Sequence, residues 1–120
     1  MAIIALDHVQ LAMPAGGEDR ARAFYCEVLE LPEKPKPPEL AARGGCWFEA
    51  GPVKIHLGVE QDFRPSAKAH PGLVVDDLDG LLTRCRKRGF HASDPELIEA
   101  MRRAFVRDPF GNRIELMARS

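Results

Sequence analysis

Residues 107–120 read RDPFGNRIELMARS. A turn-forming Asp108-Pro109-Phe110-Gly111-Asn112 leads into a short apolar run, and one carboxylate, Glu115, interrupts that run. Side chains alternate between the two faces of a strand. Ile114 and Leu116 therefore share one face, and Glu115 shares the other with Arg113 and Met117. The same triplet shape occurs upstream as Ile55-His56-Leu57, where His56 shares a face with Lys54 and Gly58.

Working outward, the chain reads as two copies of one pattern. IIALDHVQLAM, residues 3–13, predicts a strand ended by Pro14 and Gly16-Gly17. EDRARAFYCEVLE, residues 18–30, predicts a helix with acids in its first turn and an apolar face of Ala21, Phe24, Tyr25, Val28 and Leu29. The prolines of PEKPKPP, residues 32–38, leave room only for an extended or edge segment. Residues 44–59 predict a hairpin around Ala50-Gly51-Pro52. Then a short strand at 69–75, a helix at 76–90 closed by Gly89, an extended piece near 91–98 and a hairpin turning at 108–112 repeat the order. The expected fold is α+β, with two paired βαβββ modules forming a curled mixed β-sheet around a cleft. Residues 1–120 form a single domain, module one roughly 4–59 and module two roughly 68–118. A half of this size cannot bury its own sheet, so the two must pair.

Composition narrows the function. At 120 residues and a formal net charge of −1, no field favours nucleic acid or an anionic membrane. No apolar run approaches a spanning length, and MAIIALDHVQ lacks the form of a signal peptide. Three cysteines, Cys26, Cys46 and Cys85, are an odd count without clustered spacing, which predicts reduced thiols in a cytoplasmic protein.

Each module opens with a strand histidine, His8 and His70, and closes with a strand ligand type, His56 and Glu115. Imidazole and carboxylate are suitable donors for a divalent transition metal. A lone strand histidine or acid is usually a hydrogen-bonded or solvated residue; four at repeat-equivalent places are poorly explained by chance. Two histidines and one carboxylate on one side of a metal leave positions open for substrate, the arrangement for polarising a bound oxygen. Zn, Ni, Fe, Co or Mn all suit such a set. His91 has no repeat counterpart and is expected at the surface.

These residues resemble the vicinal oxygen chelate superfamily, which includes glyoxalase I, fosfomycin- and bleomycin-resistance proteins, type I extradiol dioxygenases and methylmalonyl-CoA epimerase. The resemblance rests on Asp7-His8-Val9, on Ala23-Phe24-Tyr25 with Val28-Leu29, on His70, and on Asp108-Pro109-x-Gly111-Asn112-x-Ile114-Glu115-Leu116. The chain is also similar to a subgroup of small glyoxalase-like proteins carrying RGGCWF and DFRPSAKAHP. The resemblance implies βαβββ modules curled around a pocket, often in a homodimer, with the metal on His8, His70 and Glu115. His56 stands where isomerases often place Glu or Gln, and it either completes the site or lines it. The resemblance also turns Trp47 toward the pocket as a platform for substrate.

Departures from the named families narrow the choice. Extradiol dioxygenases have a tyrosine where Phe105 stands, and their upstream histidine is missing from the region of Leu97, Ile98 and Glu99. Glyoxalase I usually has arginine where Ala12 stands, and fosfomycin-resistance proteins usually have threonine where Gln10 stands. The expected function is that of a metal-dependent isomerase, epimerase or lyase for a small oxygen-chelating substrate, with Glu115 as metal ligand and candidate base. Gln10, Lys54, Arg64 and Arg113, with Trp47, are the candidate substrate contacts, and Lys68 adds a further cation to the connecting loop. The alternative is a metal-free ligand- or drug-binding protein of the bleomycin-resistance kind.

Overall fold

The computed structural model describes residues 2–119. The chain divides into two compact units, one running to Phe63 and one starting at Arg64. The first contains β1 (Val9–Met13), α1 (Glu18–Tyr25), β2 (Glu33–Lys34), α2 (Pro38–Ala41), β3 (Cys46–Ala50) and β4 (Val53–Val59). The second contains β5 (Gly72–Val74), α3 (Leu78–Lys87), β6 (Glu96–Ile98), β7 (Met101–Arg107) and β8 (Arg113–Arg119). Each unit holds one four-stranded mixed sheet, in the orders β1-β4-β3-β2 and β5-β8-β7-β6. The first strand of each runs parallel to the last, and the remaining pairs are antiparallel. This is the repeated βαβββ order, in an α+β fold.

In each unit the helix covers the apolar side of the sheet. Tyr25 of α1 stacks on Phe48 of β3 with centroids 5.1 Å apart, and Ile55 and Leu57 are buried below. In the second unit α3 buries Leu78, Leu81, Leu82 and Cys85, while Ile114 and Leu116 of β8 are wholly buried. Each such leucine or isoleucine contributes about 1.5–3 kcal/mol. The period-two reading of these strands therefore holds, and His56 and Glu115 lie on the face away from the helices.

Several boundaries differ from the sequence reading. β1 starts at Val9, so Ile3–His8 stand outside the strand, and Ile3, Ile4 and Leu6 are largely exposed. α1 stops at Tyr25, short of the predicted 30; the chain then turns left-handed at Glu30 (φ 59°) ahead of Pro32, and Val28 and Leu31 still bury against the core. The proline-rich stretch gives the expected edge strand β2, and then a one-turn helix, α2, that the sequence reading did not foresee. Pro38 begins it, where a missing N–H costs nothing. α3 starts at Leu78, inside the predicted 76–90, because Asp77 caps it by accepting from the Gly80 amide at 3.0 Å; Gly89 follows the helix with φ +83°, as expected.

The DPFGN turn sets the register of β8. Asp108 is 4% exposed. Its Oδ1 accepts from the amides of Phe110 (2.9 Å) and Asn112 (2.8 Å), and its Oδ2 accepts from Asn112 Nδ2 at 2.8 Å. Replacing Asp108 by alanine orphans those donors, at about 2–4 kcal/mol. Thermal unfolding of Asp108→Ala is expected about 10 °C below the parent, with Asp108→Asn closer to it. A shift within scan error in both would show that the turn does not depend on this carboxylate.

Candidate functional site

The first unit gathers its predicted residues on the helix-free face. β3 and β4 pair Trp47 with His56 and Glu49 with Lys54, and β1 sets Gln10 opposite His56. Trp47 stacks on His56 (4.1 Å, 6° between planes), and His56 stacks on His8 (4.5 Å, 21°). His56 is 5% exposed, and its Nε2 lies 2.7 Å from Glu49 Oε2. A carboxylate only accepts, so this nitrogen carries the proton and Nδ1 is the ring's remaining donor atom for a metal. That bond, with Lys34 nearby, holds the Glu49 carboxyl below the usual carboxylate range. Asp7 Oδ2 lies 2.9 Å from His8 Nδ1, and Lys54 Nζ is 3.5 Å from Asp7 Oδ1. The His8 bond and then Lys54 lower the Asp7 carboxyl in turn. A carboxylate on Nδ1 fixes the tautomer that frees Nε2, the usual support behind a metal-binding imidazole.

Gly58 makes room for Gln10: a Cβ there would lie 2.6 Å from Gln10 Nε2. A cavity of about 250 Å³ opens beside them, lined among others by Gln10, Trp47, Gly58, Lys36 and Arg43.

In the second unit, His70 and Glu115 come together. His70 Nδ1 donates to the Lys68 carbonyl oxygen at 2.9 Å, so Nε2 carries either a lone pair or the second proton of an imidazolium. It faces Glu115 Oε1 at 3.2 Å. Two acceptors at that distance need a cation between them, either a proton or a metal. Two donors each about 2.0–2.2 Å from one ion stand about this far apart, so the pair fits a divalent metal. Arg103 Nη1 donates to Glu115 Oε2 at 3.2 Å and its Nε to Glu96 at 2.9 Å; these bonds raise the Arg103 pKa and aim the carboxylate. Gly72, the register partner of Glu115, keeps the space beside Oε1 clear. Arg113 lies over the Phe105 ring at 3.9 Å, and His70 meets the same ring edge-on at 5.2 Å. Arg64 is exposed in the connecting loop.

Among the described residues, no group of three or more His, Cys, Asp or Glu side chains is spaced for one ion. Each unit supplies part of the predicted set: His8 and His56 in the first, His70 and Glu115 in the second. Sequence reasoning missed Glu49 and Arg103. Both stand two residues from an aromatic on the same strand face, Trp47 and Phe105, and period two was the signal that placed them there.

A fold of two βαβββ units with histidine and carboxylate on their helix-free faces defines a class. The profile of the Glyoxalase/Bleomycin resistance protein/Dioxygenase superfamily matches residues 5–116, and the chain belongs to that superfamily. It is similar to a Bacillus anthracis protein assigned to the glyoxalase family, at 46% identity and TM-score 0.92, over 100% of this chain and 98% of that one. The fold is shared with the fosfomycin resistance protein FosX of Listeria monocytogenes (15% identity, TM-score 0.79, 98% and 95% covered). It is shared also with TnmS3, an antibiotic binding protein of Streptomyces sp. CB03234 (23%, TM-score 0.75, 100% and 99% covered). No curated protein sequence matches this chain.

Proposed function

We propose that this chain is a divalent-metal-dependent enzyme of the isomerase, epimerase or lyase kind, acting on a small substrate that offers two oxygens. The observation that carries the reading is the acceptor pair of His70 Nε2 and Glu115 Oε1, 3.2 Å apart. His8, its Nε2 freed by Asp7, is the third ligand, supplied by the same chain or by a second copy. His56, engaged by Glu49 through Nε2, lines the site or joins it through Nδ1. A bound Zn, Ni, Fe, Co or Mn ion supplies Lewis-acid polarisation of a substrate oxygen. Glu115, whose other oxygen accepts from Arg103, serves as ligand only or shifts off the metal to act as base next to a carbonyl. Trp47 offers a flat platform, and Gln10, Lys54, Arg64 and Arg113 offer polar contacts.

Metal analysis of untagged protein tests this reading. About one equivalent of divalent metal per chain is expected; less than about a tenth, even after reloading, would sink it.

A second reading, metal-free sequestration of a bulky ligand, draws on the cavity beside Trp47 and Gln10. Melting with chelator separates the two. Under the metal reading EDTA lowers the melting temperature. Under the second it leaves it untouched, while an aromatic cation raises it.

The working form is a cytoplasmic homodimer in this proposal. Free Cys26, Cys46 and Cys85 suit a reducing compartment, and burial pushes the Cys46 and Cys85 thiols up to about 11. Among the described residues no helix is long and apolar enough to cross a membrane. Ile3, Ile4 and Val74 are 75–90% exposed, apolar surface that a second copy would cover. Sedimentation is expected to give the mass of two chains, and Ile4→Asp to shift it toward one. A single-chain mass for the parent would contradict the dimer.

A further inference from the structure

Arg107 and Arg113 are direct cross-strand partners in the β7–β8 ladder, on the same face as Glu115. Like charges placed directly opposite destabilise a sheet, and no carboxylate among the described residues neutralises them. Among the described residues, neither guanidinium has a carboxylate within ion-pair distance, whereas Arg102 and Arg103 on the same strand are both paired. Arg107 gives only Nη1, to the carbonyls of Gly111 (3.1 Å) and Ser66 (3.5 Å). Arg113 also gives only Nη1, to the Lys68 carbonyl at 3.1 Å. A guanidinium has five N–H donors, so among the described residues the Nε and Nη2 fork of each has no partner.

Arg107 is held by the Gly111 and Ser66 carbonyls, and Arg113 has a further support. Arg113 Cζ lies over the Phe105 ring, 3.9 Å from its centroid, a contact that restrains the guanidinium. His70 meets that same ring and also hydrogen-bonds the Lys68 carbonyl, the oxygen that anchors Arg113. Arg113 is thereby tied to the His70–Glu115 pair through one ring and one carbonyl, and Arg107 stands opposite it in the ladder. Both arginines are only part-exposed, which limits screening by solvent.

We infer that Arg107 and Arg113 form an anion fork, and that the substrate of this site carries a carboxylate or phosphate group beside its metal-facing oxygens. The placement of that anion next to the reacting atoms rests on the metal reading of His70 and Glu115; the fork itself does not. Planar, bidentate donors match either oxyanion. Phe105 has no hydroxyl to offer a substrate, and its part in this arrangement is to orient Arg113.

The test uses whole, metal-free protein in EDTA, with inorganic phosphate and malonate titrated separately. The side-chain Nε–Hε resonances of Arg107 and Arg113 are followed by NMR, assigned from Arg107→Lys and Arg113→Lys. Saturable shifts of both resonances are expected, with a dissociation constant of roughly millimolar order; the tighter probe names the group. Arg107→Gln and Arg113→Gln are each expected to weaken binding about tenfold or more. Arg113→Lys, which keeps the charge and loses the fork, should weaken it too. Arg88→Gln, which makes the same charge change beyond the end of α3, should leave binding unaltered. Absence of saturable shifts, or equal weakening by Arg88→Gln, overturns the fork. Arg113→Lys binding as tightly as the parent also overturns it. The metal content of the same samples before EDTA is measured in parallel. Protein that binds phosphate but takes up no metal keeps the fork and removes the metal reading. Protein that takes up metal without these shifts does the reverse.

Discussion

Glu115→Gln is expected to abolish metal uptake while leaving the metal-free protein as stable as the parent, or more so. The two effects part because of what faces Glu115. The Lys68 carbonyl accepts a hydrogen bond from His70 Nδ1–H, so a ring in its neutral form turns a lone pair toward Oε1. Two acceptors then oppose each other until a cation enters. A glutamine amide can turn its NH2 to His70 Nε2 and keep its oxygen for Arg103, which satisfies every partner without a cation. The metal-free variant thus keeps its hydrogen bonds and loses only the charge facing Arg103, which Glu96 still pairs, while a charged ligand is gone from the metal. Removing a partner behind a metal ligand already costs 10–100-fold in affinity, and loss of the ligand itself is expected to exceed about 100-fold. Two measurements check this: metal content after reloading, and the melting temperature in EDTA. If the pair is instead a structural ion pair, with a proton on His70, the outcome reverses. Glu115→Gln then lowers stability by about 1–3 kcal/mol, and metal content does not change.

Strand alternation explains how much of this was legible. Ile55, Leu57, Ile114 and Leu116 are fully buried, so their odd neighbours had to face elsewhere, and the repeat showed that both odd neighbours were ligand types. The turn at 108–112 was legible because Asp, Gly and Asn have local roles there. Other features depend on pairing across strands, which no local pattern reports. Glu49 engages His56 only because β3 and β4 pair in the observed register. Arg103 reaches Glu115 across the β7–β8 ladder, and the unpaired charge of Arg107 is visible only once Arg113 is known to stand opposite. The start of β1 was misplaced for a related reason. Ile3, Ile4 and Leu6 have strand propensity, but β4, the strand that β1 joins, meets it only from Val9 onward. Propensity marks a segment that can pair, and its partner decides how much of it does.

Gly45→Ala is expected to unfold the first unit, or to destabilise it by more than about 3 kcal/mol, although it adds one methyl group. Gly45 has φ +87°, a conformation that costs an L-residue about 1–2 kcal/mol. The larger effect is steric. A Cβ there would stand 2.1 Å from the Leu57 carbonyl oxygen and 3.2 Å from its carbonyl carbon. These are backbone atoms of β4 that no rotamer change can move, and Leu57 is the register partner of Cys46, the next residue in the chain. Relief requires β3 to part from β4, which also pulls the Gly45 amide from Glu18 Oε2 (2.9 Å) and shifts Trp47 off His56. Two neighbours divide the effect into its parts. Gly51 has φ +57° with nothing within 4 Å of a new Cβ, so Gly51→Ala should cost only the backbone term, about 1 kcal/mol. At Gly44 (φ +77°) a Cβ would meet Val59 Cγ2 at 3.0 Å and Glu18 Oε2 at 3.3 Å, side-chain ends that can yield, so Gly44→Ala should fall between. Urea unfolding of the three variants checks the order. If Gly45→Ala matches Gly51→Ala, the close approach of Gly45 to the Leu57 carbonyl is not what holds the Trp47–His56 face in register.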